Sequence, residues 1–279
     1  KNKVAVVCFF IIVLLILSCI IVPFFSPFES REQHLGEVNK GFMTVCTDSR
    51  YEGQHHVHYF GTDNLGRDLF LRAFEGGRVS LMIAFAAVFV NLIVGLIYGG
   101  ISGYIGGAVD TIMMRIVEIV NGIPYLIVVI LLMMVLPKGI FTMVVAYGIT
   151  GWTGMARLVR GQVLQLKSQE YIVAAEAMGA KSSRIIAKHL IPNALSVIII
   201  NVTLAIPSAI FTEAFLSYIG LGVPVPQPSW GVLAKGGQDV FMTYPYQFVV
   251  PAVAISLTML SFNLLGDGLR DAFDPRLRR

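Results

Sequence analysis

The sequence predicts an all-α integral membrane protein with about six transmembrane helices. Of its 279 residues, 56% are hydrophobic and only 14% are charged, and the mean hydropathy is +0.74. A soluble globule with a normally solvated surface does not carry that balance. Several stretches also supply the roughly 20 apolar residues that a helix needs to cross a hydrocarbon core about 30 Å thick.

We place six spans along these apolar stretches. The first span follows the basic residues Lys1 and Lys3, as the apolar part of a signal peptide would. It is too long for a signal peptide, however, and no small-residue cleavage site occurs before Pro23. We therefore expect this span to stay uncleaved. Because the chain does not begin with Met, we also expect further residues before Lys1. The spans run over residues 4–25, 79–104, 112–136, 140–160, 194–220 and 247–267.

The distribution of Lys and Arg predicts the orientation. Basic residues cluster before the first span, between the fourth and fifth, and after the sixth, and the positive-inside rule assigns these regions to the cytoplasm. The segment 26–78, by contrast, contains six Lys or Arg and eight Asp or Glu. We therefore predict a first transmembrane helix at 1–25, an external loop at 26–78, a transmembrane core at 79–267 with a cytoplasmic loop at 161–193, and a cytoplasmic tail at 268–279.

Four glycines recur every four residues around the second span: Gly95, Gly99, Gly103 and Gly107. On a helix they fall along one side, where the missing side chains let another backbone approach closely. Packing within this chain is the favoured interpretation, and contact with a second subunit is the alternative.

Sequence motifs for catalysis and nucleotide binding are missing. The chain has no Walker A loop, whose amides hold phosphate, so any ATP that the protein uses must be bound by a partner. Neither H-E-x-x-H nor G-x-S-x-G occurs, which argues against a hydrolase. No basic run is interleaved with aromatic residues, which argues against nucleic acid. The sequence therefore predicts a chain with no cofactor and no enzyme activity of its own.

Three neighbouring histidines, His55, His56 and His58, have a spacing at which imidazoles are able to hold a soft divalent metal. Cys46 stands alone in the same polar segment, and the other two cysteines lie in the first span, so neither a disulfide framework nor a CxxC metal motif is available. We therefore favour a polar external loop and predict no metal site.

Three polar residues within predicted spans are candidates for lining a translocation path, because ionisable groups in a membrane are costly and often functional. Glu118 and Asn121 lie three residues apart on one side of the third span, and Glu213 lies in the outer half of the fifth. The alternative is that the carboxylates are hydrogen-bonded to neighbouring helices as structural groups.

The loop over 161–193 has the pattern of two short helices. Alanines and Met178 favour the first, and Gly179 suits the left-handed conformation that ends it. A serine at 182 or 183 is able to cap the second, and we expect Pro192 to end it. A short helix of small and apolar residues between two spans suits a groove of another protein, and an amphipathic helix resting on the membrane is the alternative.

The same loop resembles the EAA motif of ABC importer permeases. That motif has two alanines, a glycine four residues after the second alanine, and a proline at a fixed distance. The matching run contains Ala174, Ala175, Glu176, Gly179 and Pro192. Val173 takes the position where the family usually has Glu. The resemblance implies that this loop couples the chain to separate ATPase subunits.

Further motifs narrow the resemblance to the C-type subunit of the dipeptide and oligopeptide permeases. A run over 60–68 looks like the external motif of that subunit, with the members Gly61, Thr62, Asp63, Gly66, Arg67 and Asp68. The runs 229–231 and 265–276 are similar as well. Residues 114–118 and 211–217 look closer to the oligopeptide branch than to the dipeptide branch.

The resemblance implies a type I ABC importer permease fold in a bacterial plasma membrane. The implied partners are a second homologous permease, two ATPase subunits, an external peptide-binding protein and membrane lipid, and the implied substrate is an oligopeptide. A permease for dipeptides, nickel or another small solute on the same scaffold is the alternative. A secondary carrier is a weaker one, because the sequence shows no convincing inverted repeat.

The external segment 26–78 is too long for a hairpin between spans and too short for an independent domain. Because Asp68 and Arg72 are four residues apart, we expect residues 60–78 to form a helix on the outer face of the membrane. Such a helix would help to receive the external binding protein.

Overall fold

The computed structural model describes residues 3–48 and 56–273, and it is built mostly from α-helices. A 3-10 turn at Leu35–Glu37 and a small antiparallel sheet, β1 (Thr44–Val45) and β2 (Val57–His58), lie between the first two helices. The helices are α1 (Lys3–Phe25), α2 (Leu69–Ile105), α3 (Gly107–Asn121), α4 (Tyr125–Val135), α5 (Ile140–Thr150), α6 (Trp152–Lys167), α7 (Glu170–Ala177), α8 (Ser182–Ile185), α9 (Ile191–Tyr218), α10 (Trp230–Asp239) and α11 (Tyr246–Phe273).

Four helical segments in the described part of the chain are long and apolar enough to cross a membrane: α1, α2, the run Ile186–Tyr218 and α11. The pair α3 and α4 supplies a fifth if it forms one span, and it is bent by 78°. The predicted span 140–160 is divided between α5 and the more polar α6. The all-α class is confirmed, and the count of about six spans stays a prediction.

The predicted carboxyl-terminal boundary at 267 falls inside a helix. α11 continues to Phe273, so the part of the predicted tail that the structure describes is helical. Residues 274–279 lie outside the described residues.

The core of the molecule lies around Trp230, where α10 meets side chains from α1, α2, α9 and α11. The indole is buried, and its Nε1 donates a hydrogen bond to the Ala73 carbonyl oxygen at 2.9 Å. This indole therefore fixes the short helix α10 against the long helices around it.

The glycine face of α2 packs against α6. A Cβ at Gly95 would lie 2.5 Å from the Met155 Cβ, and one at Gly99 would lie 2.3 Å from the Ala156 carbonyl oxygen. Both distances are far inside van der Waals contact, so α6 approaches this closely only because these residues lack side chains. Packing within the chain is confirmed, although Gly107 lies beyond this face at the start of α3.

The helix predicted over 60–78 is wrong in its first half. Residues 60–68 form turns, in which two glycines adopt positive φ. α2 begins immediately after Asp68, because the Asp68 carboxylate caps the helix by accepting a hydrogen bond from the Leu71 amide at 2.7 Å. The capping role replaces the predicted pairing with Arg72, and α2 continues into the second span without a separate interfacial helix.

The predicted helix end at Pro192 is also wrong. α8 leads into a π turn at Ile186–Leu190 and then directly into α9. Pro192 directly follows this π turn, in which the Ile191 amide donates to the Ile186 carbonyl oxygen, and such a local π adjustment accommodates a proline within a helix. Helical structure therefore runs from Ser182 to Tyr218 and joins the loop to a transmembrane helix.

Candidate functional site

The loop between α6 and α9 carries a short helix, α7, that is anchored on one face and exposed on the other. Ile172 is fully buried in a core with side chains from α6, α8 and α9. Tyr171, Val173 and Met178 are exposed, with Met178 at 82%. An exposed apolar patch of this kind is typical of a contact site for another protein.

The end of α7 has the predicted glycine geometry. Gly179 has a φ of +78°, and the Ala180 amide donates to the Ala175 carbonyl oxygen at 3.1 Å, as in a Schellman motif. Within the motif, Ala174 is exposed whereas Ala175 is only 7% exposed, so Ala174 alone of the two is available to a partner. The Glu176 side chain lies outside the described residues.

The three polar residues predicted to line a path are not brought together. Glu118 is exposed on α3 and forms an ion pair with Arg115 at 2.6 Å. Asn121 lies at the end of α3, and its amide is 2.7 Å from the Thr153 hydroxyl oxygen on α6. Glu213 is 1% exposed, so of these three only Glu118 and Asn121 reach the surface in this conformation.

Glu213 is surrounded by hydroxyl groups. Ser217 Oγ donates to its carboxylate at 2.8 Å, and the hydroxyls of Ser80 and Ser229 border the same carboxylate. Ser80 Oγ also accepts a hydrogen bond from the Trp230 amide at 3.1 Å. The cluster therefore joins α2, α9 and α10, which favours the structural alternative for Glu213 over a place on the path.

A sharp bend separates α3 from α4 beside the exposed Asn121. The helices meet at 78° across residues 122–124, where the predicted third span was continuous. Gly122 and Pro124 are the signal in the sequence, since neither residue favours a helix interior. The bend places Glu118 and Asn121 next to an interruption of the helical backbone.

An unpredicted ion pair ties α3 to α6. Arg160 presents Nε and Nη2 to the two carboxylate oxygens of Asp110, and the Ser102 hydroxyl donates to the same carboxylate. Bidentate pairing of guanidinium and carboxylate is strong and directional. Arg160 is one of the basic residues between the fourth and fifth predicted spans that set the orientation, and the sequence alone did not indicate a partner 50 residues away.

The six predicted residues of the motif over 60–68 are buried in the structure. Asp63 accepts hydrogen bonds from the Arg67 amide at 3.0 Å and from the Arg67 Nε at 2.7 Å. The Thr62 hydroxyl oxygen accepts from the Lys40 amide at 2.8 Å. These bonds fold the described part of the connection between α1 and α2, residues 26–48 and 56–68, which we call the α1–α2 connection.

Two glycines of this motif permit close backbone contacts. A Cβ at Gly61 would lie 2.2 Å from the Lys40 carbonyl oxygen, and one at Gly66 would lie 2.0 Å from the His34 carbonyl oxygen. On α11, the Tyr246 hydroxyl donates to the Lys40 carbonyl oxygen at 2.7 Å. The motif therefore packs the connection onto itself and onto α11.

His58 is buried between two carboxylates in the α1–α2 connection, an environment that the prediction of a polar external loop did not specify. Its ring nitrogens are 2.7 Å from Asp68 Oδ2 and 3.1 Å from Glu37 Oε2. Burial opposes the charge of the imidazolium, but the two carboxylates outweigh it and raise the pKa of His58. Burial raises the pKa of Glu37, yet hydrogen bonds from Thr47 and His58 prevail and hold it below its usual value. His55 lies outside the described residues.

The sequence is similar to two family models and to several bacterial peptide permeases. The model "Binding-protein-dependent transport system inner membrane component" matches residues 92–279, and "N-terminal TM domain of oligopeptide transport permease C" matches residues 1–41. The oligopeptide transport system permease protein OppC of Bacillus subtilis (strain 168) is 50% identical, covering 100% of this chain and 88% of the relative. The dipeptide transport system permease protein DppC of the same strain is 48% identical, covering 100% and 84%. OppC of Escherichia coli (strain K12) is 43% identical, covering 99% and 88%.

Solved structures support the architecture. An inward-facing MetNI methionine ABC transporter matches with a TM-score of 0.55 at 22% identity, covering 71% of this chain and 95% of that chain. A crystal structure of an amino acid ABC transporter matches with a TM-score of 0.54 at 18% identity, covering 72% and 94%. At these identities the likeness concerns the fold, and it confirms the predicted ABC permease architecture.

Proposed function

Because the chain belongs to the family of binding-protein-dependent transport system inner membrane components, we propose that it is the C-type permease subunit of an ATP-driven oligopeptide importer. Its relatives named for oligopeptide and dipeptide transport match it over at least 99% of its length. The chain supplies the membrane path and no catalytic residue. ATP and Mg²⁺ bind to partner subunits.

The observation that carries this proposal is the geometry of α7. Its buried face, with Ile172, is fixed to the helices of the permease, and its other face is apolar and exposed. A groove on an ATPase subunit fits the exposed face. The helical run from Ser182 to Tyr218 begins five residues after α7 and crosses the membrane, so a displacement of α7 reaches the transmembrane core.

The complex contains a second homologous permease, two ATPase subunits and an external peptide-binding protein. The chain lies in the bacterial plasma membrane with its amino terminus in the cytoplasm, in keeping with the placement of its basic residues. ATP binding closes the ATPase pair and shifts the permeases between inward-open and outward-open forms. ATP is able to shift that equilibrium only by binding the two forms with different affinity.

The peptide path lies between the two permeases. On this chain, the exposed polar residues beside the α3–α4 bend, Glu118 and Asn121, face that path. A backbone interruption at membrane depth is tolerated where it is buried in protein or lines a water-filled cavity. On this basis we propose that the bend of 78° lies at the interface between the permeases and not against lipid.

Uptake competition in cells tests the substrate. A strain that lacks this chain should lose uptake of a labelled tetrapeptide, and the restored chain should recover it. Excess unlabelled tetrapeptide should compete more strongly than dipeptide or nickel. The 48% identity to a dipeptide permease makes dipeptides the second candidate. Stronger competition by dipeptide would select that candidate, and wild-type uptake in the deletion strain, with no other peptide importer present, would contradict both.

A further inference from the structure

We propose that the α1–α2 connection binds a soft divalent metal ion at a site formed by His34, Glu37 and Cys46. Zn²⁺ is the ion that fits these ligands best. One ligand atom from each of these three buried residues lies within 4.8 Å of the other two. Around a tetrahedral zinc ion with bonds of about 2.0–2.3 Å, ligand atoms lie about 3.5 Å apart. The largest separation therefore needs to shrink by about 1.3 Å to reach zinc geometry.

The local fold positions the three ligands. His34 and Glu37 are three residues apart, at the two sides of the 3-10 turn Leu35–Glu37. Cys46 follows β1, and its amide donates to the His56 carbonyl oxygen at 2.8 Å, which continues the pairing of β1 with β2. The turn and the sheet bring together residues that the sequence separates by up to 12 positions.

The surroundings of His34 and Glu37 resemble the outer shell of a metal site. His34 Nδ1 lies 2.9 Å from Asp48 Oδ2. A metal-binding histidine commonly donates one ring N–H to a carboxylate, which directs the other nitrogen, here Nε2, to the metal. Glu37 Oε1 accepts from the Thr47 amide and from the Thr47 hydroxyl, the latter at 2.9 Å, and Oε2 faces His58 Nε2. These contacts use three of the about four lone-pair sites of a carboxylate. The fourth faces the Cys46 thiol, so it is available to a metal that the two residues share.

The donor set selects the class of metal. A thiolate, an imidazole and a carboxylate are typical ligands of zinc and related divalent ions, whereas Mg²⁺ and Ca²⁺ prefer oxygen ligands only. Cys46 is buried beside Phe28 and Leu71, which shields the site from solvent. A bound ion would link the 3-10 turn to the sheet and stabilise the α1–α2 connection.

Metal content of the intact importer tests the site. The detergent-solubilised complex is stripped with a chelator, equilibrated with Zn²⁺ and dialysed, and zinc is counted per permease chain by mass spectrometry. We expect one zinc more in the wild type than in the Cys46→Ser variant. Cys19→Ser, which removes a buried cysteine of α1, is the matched control and should keep the full content. Equal zinc content in the wild type and Cys46→Ser would overturn the site.

Co²⁺ in place of Zn²⁺ reports the thiolate directly. The wild type and the Cys19→Ser variant should show the near-ultraviolet absorption of a cobalt–thiolate bond, and Cys46→Ser should lack it. If Cys46→Ser fails to assemble, Asp48→Asn keeps all three ligands and tests the outer shell. We expect its zinc affinity to fall about 10–100-fold. No cobalt–thiolate absorption in the wild type, or an unchanged zinc affinity in Asp48→Asn, would contradict the proposal.

Discussion

Replacing Gly179 with Val tests the mechanical link between α7 and the rest of the chain. Gly179 has a φ of +78°, and a Cβ there would have no heavy atom within 4 Å. The substitution therefore adds backbone strain without a clash. The left-handed conformation costs about 1–2 kcal/mol for an L-residue, and more for a β-branched one. A loss of about 1–2 kcal/mol reduces the population of the correct turn about 5–30-fold.

The assay is uptake of labelled peptide at equal amounts of permease in the membrane. Gly179→Val should lower uptake severalfold, while Gly179→Asn should lose less, because Asn tolerates the left-handed conformation. Gly236→Ala is the matched control, since Gly236 also has open space around it but has no positive φ. Wild-type uptake in Gly179→Val, or an equal loss in Gly179→Asn, would refute the reasoning.

Three further predictions follow from other parts of the chain. Gly99→Ala should reduce the yield of folded permease, because its Cβ would lie 2.3 Å from the Ala156 carbonyl oxygen; Gly100→Ala, whose Cβ would meet only Ile186 at 3.6 Å, should not. Equal yields would contradict the α2–α6 packing. Met178→Glu should reduce co-purification of the ATPase subunits through the exposed face of α7, whereas Met242→Glu, at 96% exposure in the wild type, should not; equal recovery would contradict the coupling surface. Cysteines at 178 and 242, in a chain without native cysteines, should react with a membrane-impermeant thiol reagent from opposite sides, and labelling of both from outside would overturn the topology.

Local signals in the sequence predicted the elements that depend on a few neighbouring residues. Gly179 ends α7 as predicted, because a left-handed glycine is a local requirement of that turn. The glycines Gly95 and Gly99 likewise predicted a close helix contact within the chain. In both cases the missing side chain determines the backbone geometry, so the residue type alone was sufficient to predict it.

Contacts across long sequence distances were not predictable in the same way. His58 was assigned to a polar external loop, and its sequence neighbours did not indicate that Glu37 and Asp68 would contact it from two sides. Cys46 is 12 residues from His34 in the sequence, yet the hydrogen bond from Thr47 to Glu37 holds it close to both His34 and Glu37. The predicted end at Pro192 failed for another reason, since a π turn before it makes proline compatible with a continuous helix.

Reconstitution of the whole importer tests the central claim most directly. The chain is purified with its proposed second permease and two ATPase subunits, placed in proteoliposomes with the external faces of the permeases outward, and supplied with the peptide-binding protein and a labelled oligopeptide. The proposal predicts accumulation of peptide that requires ATP at the ATPase side and that falls when Met178 is replaced by Glu. Peptide accumulation by this chain alone, or at the same rate without ATP, would contradict it.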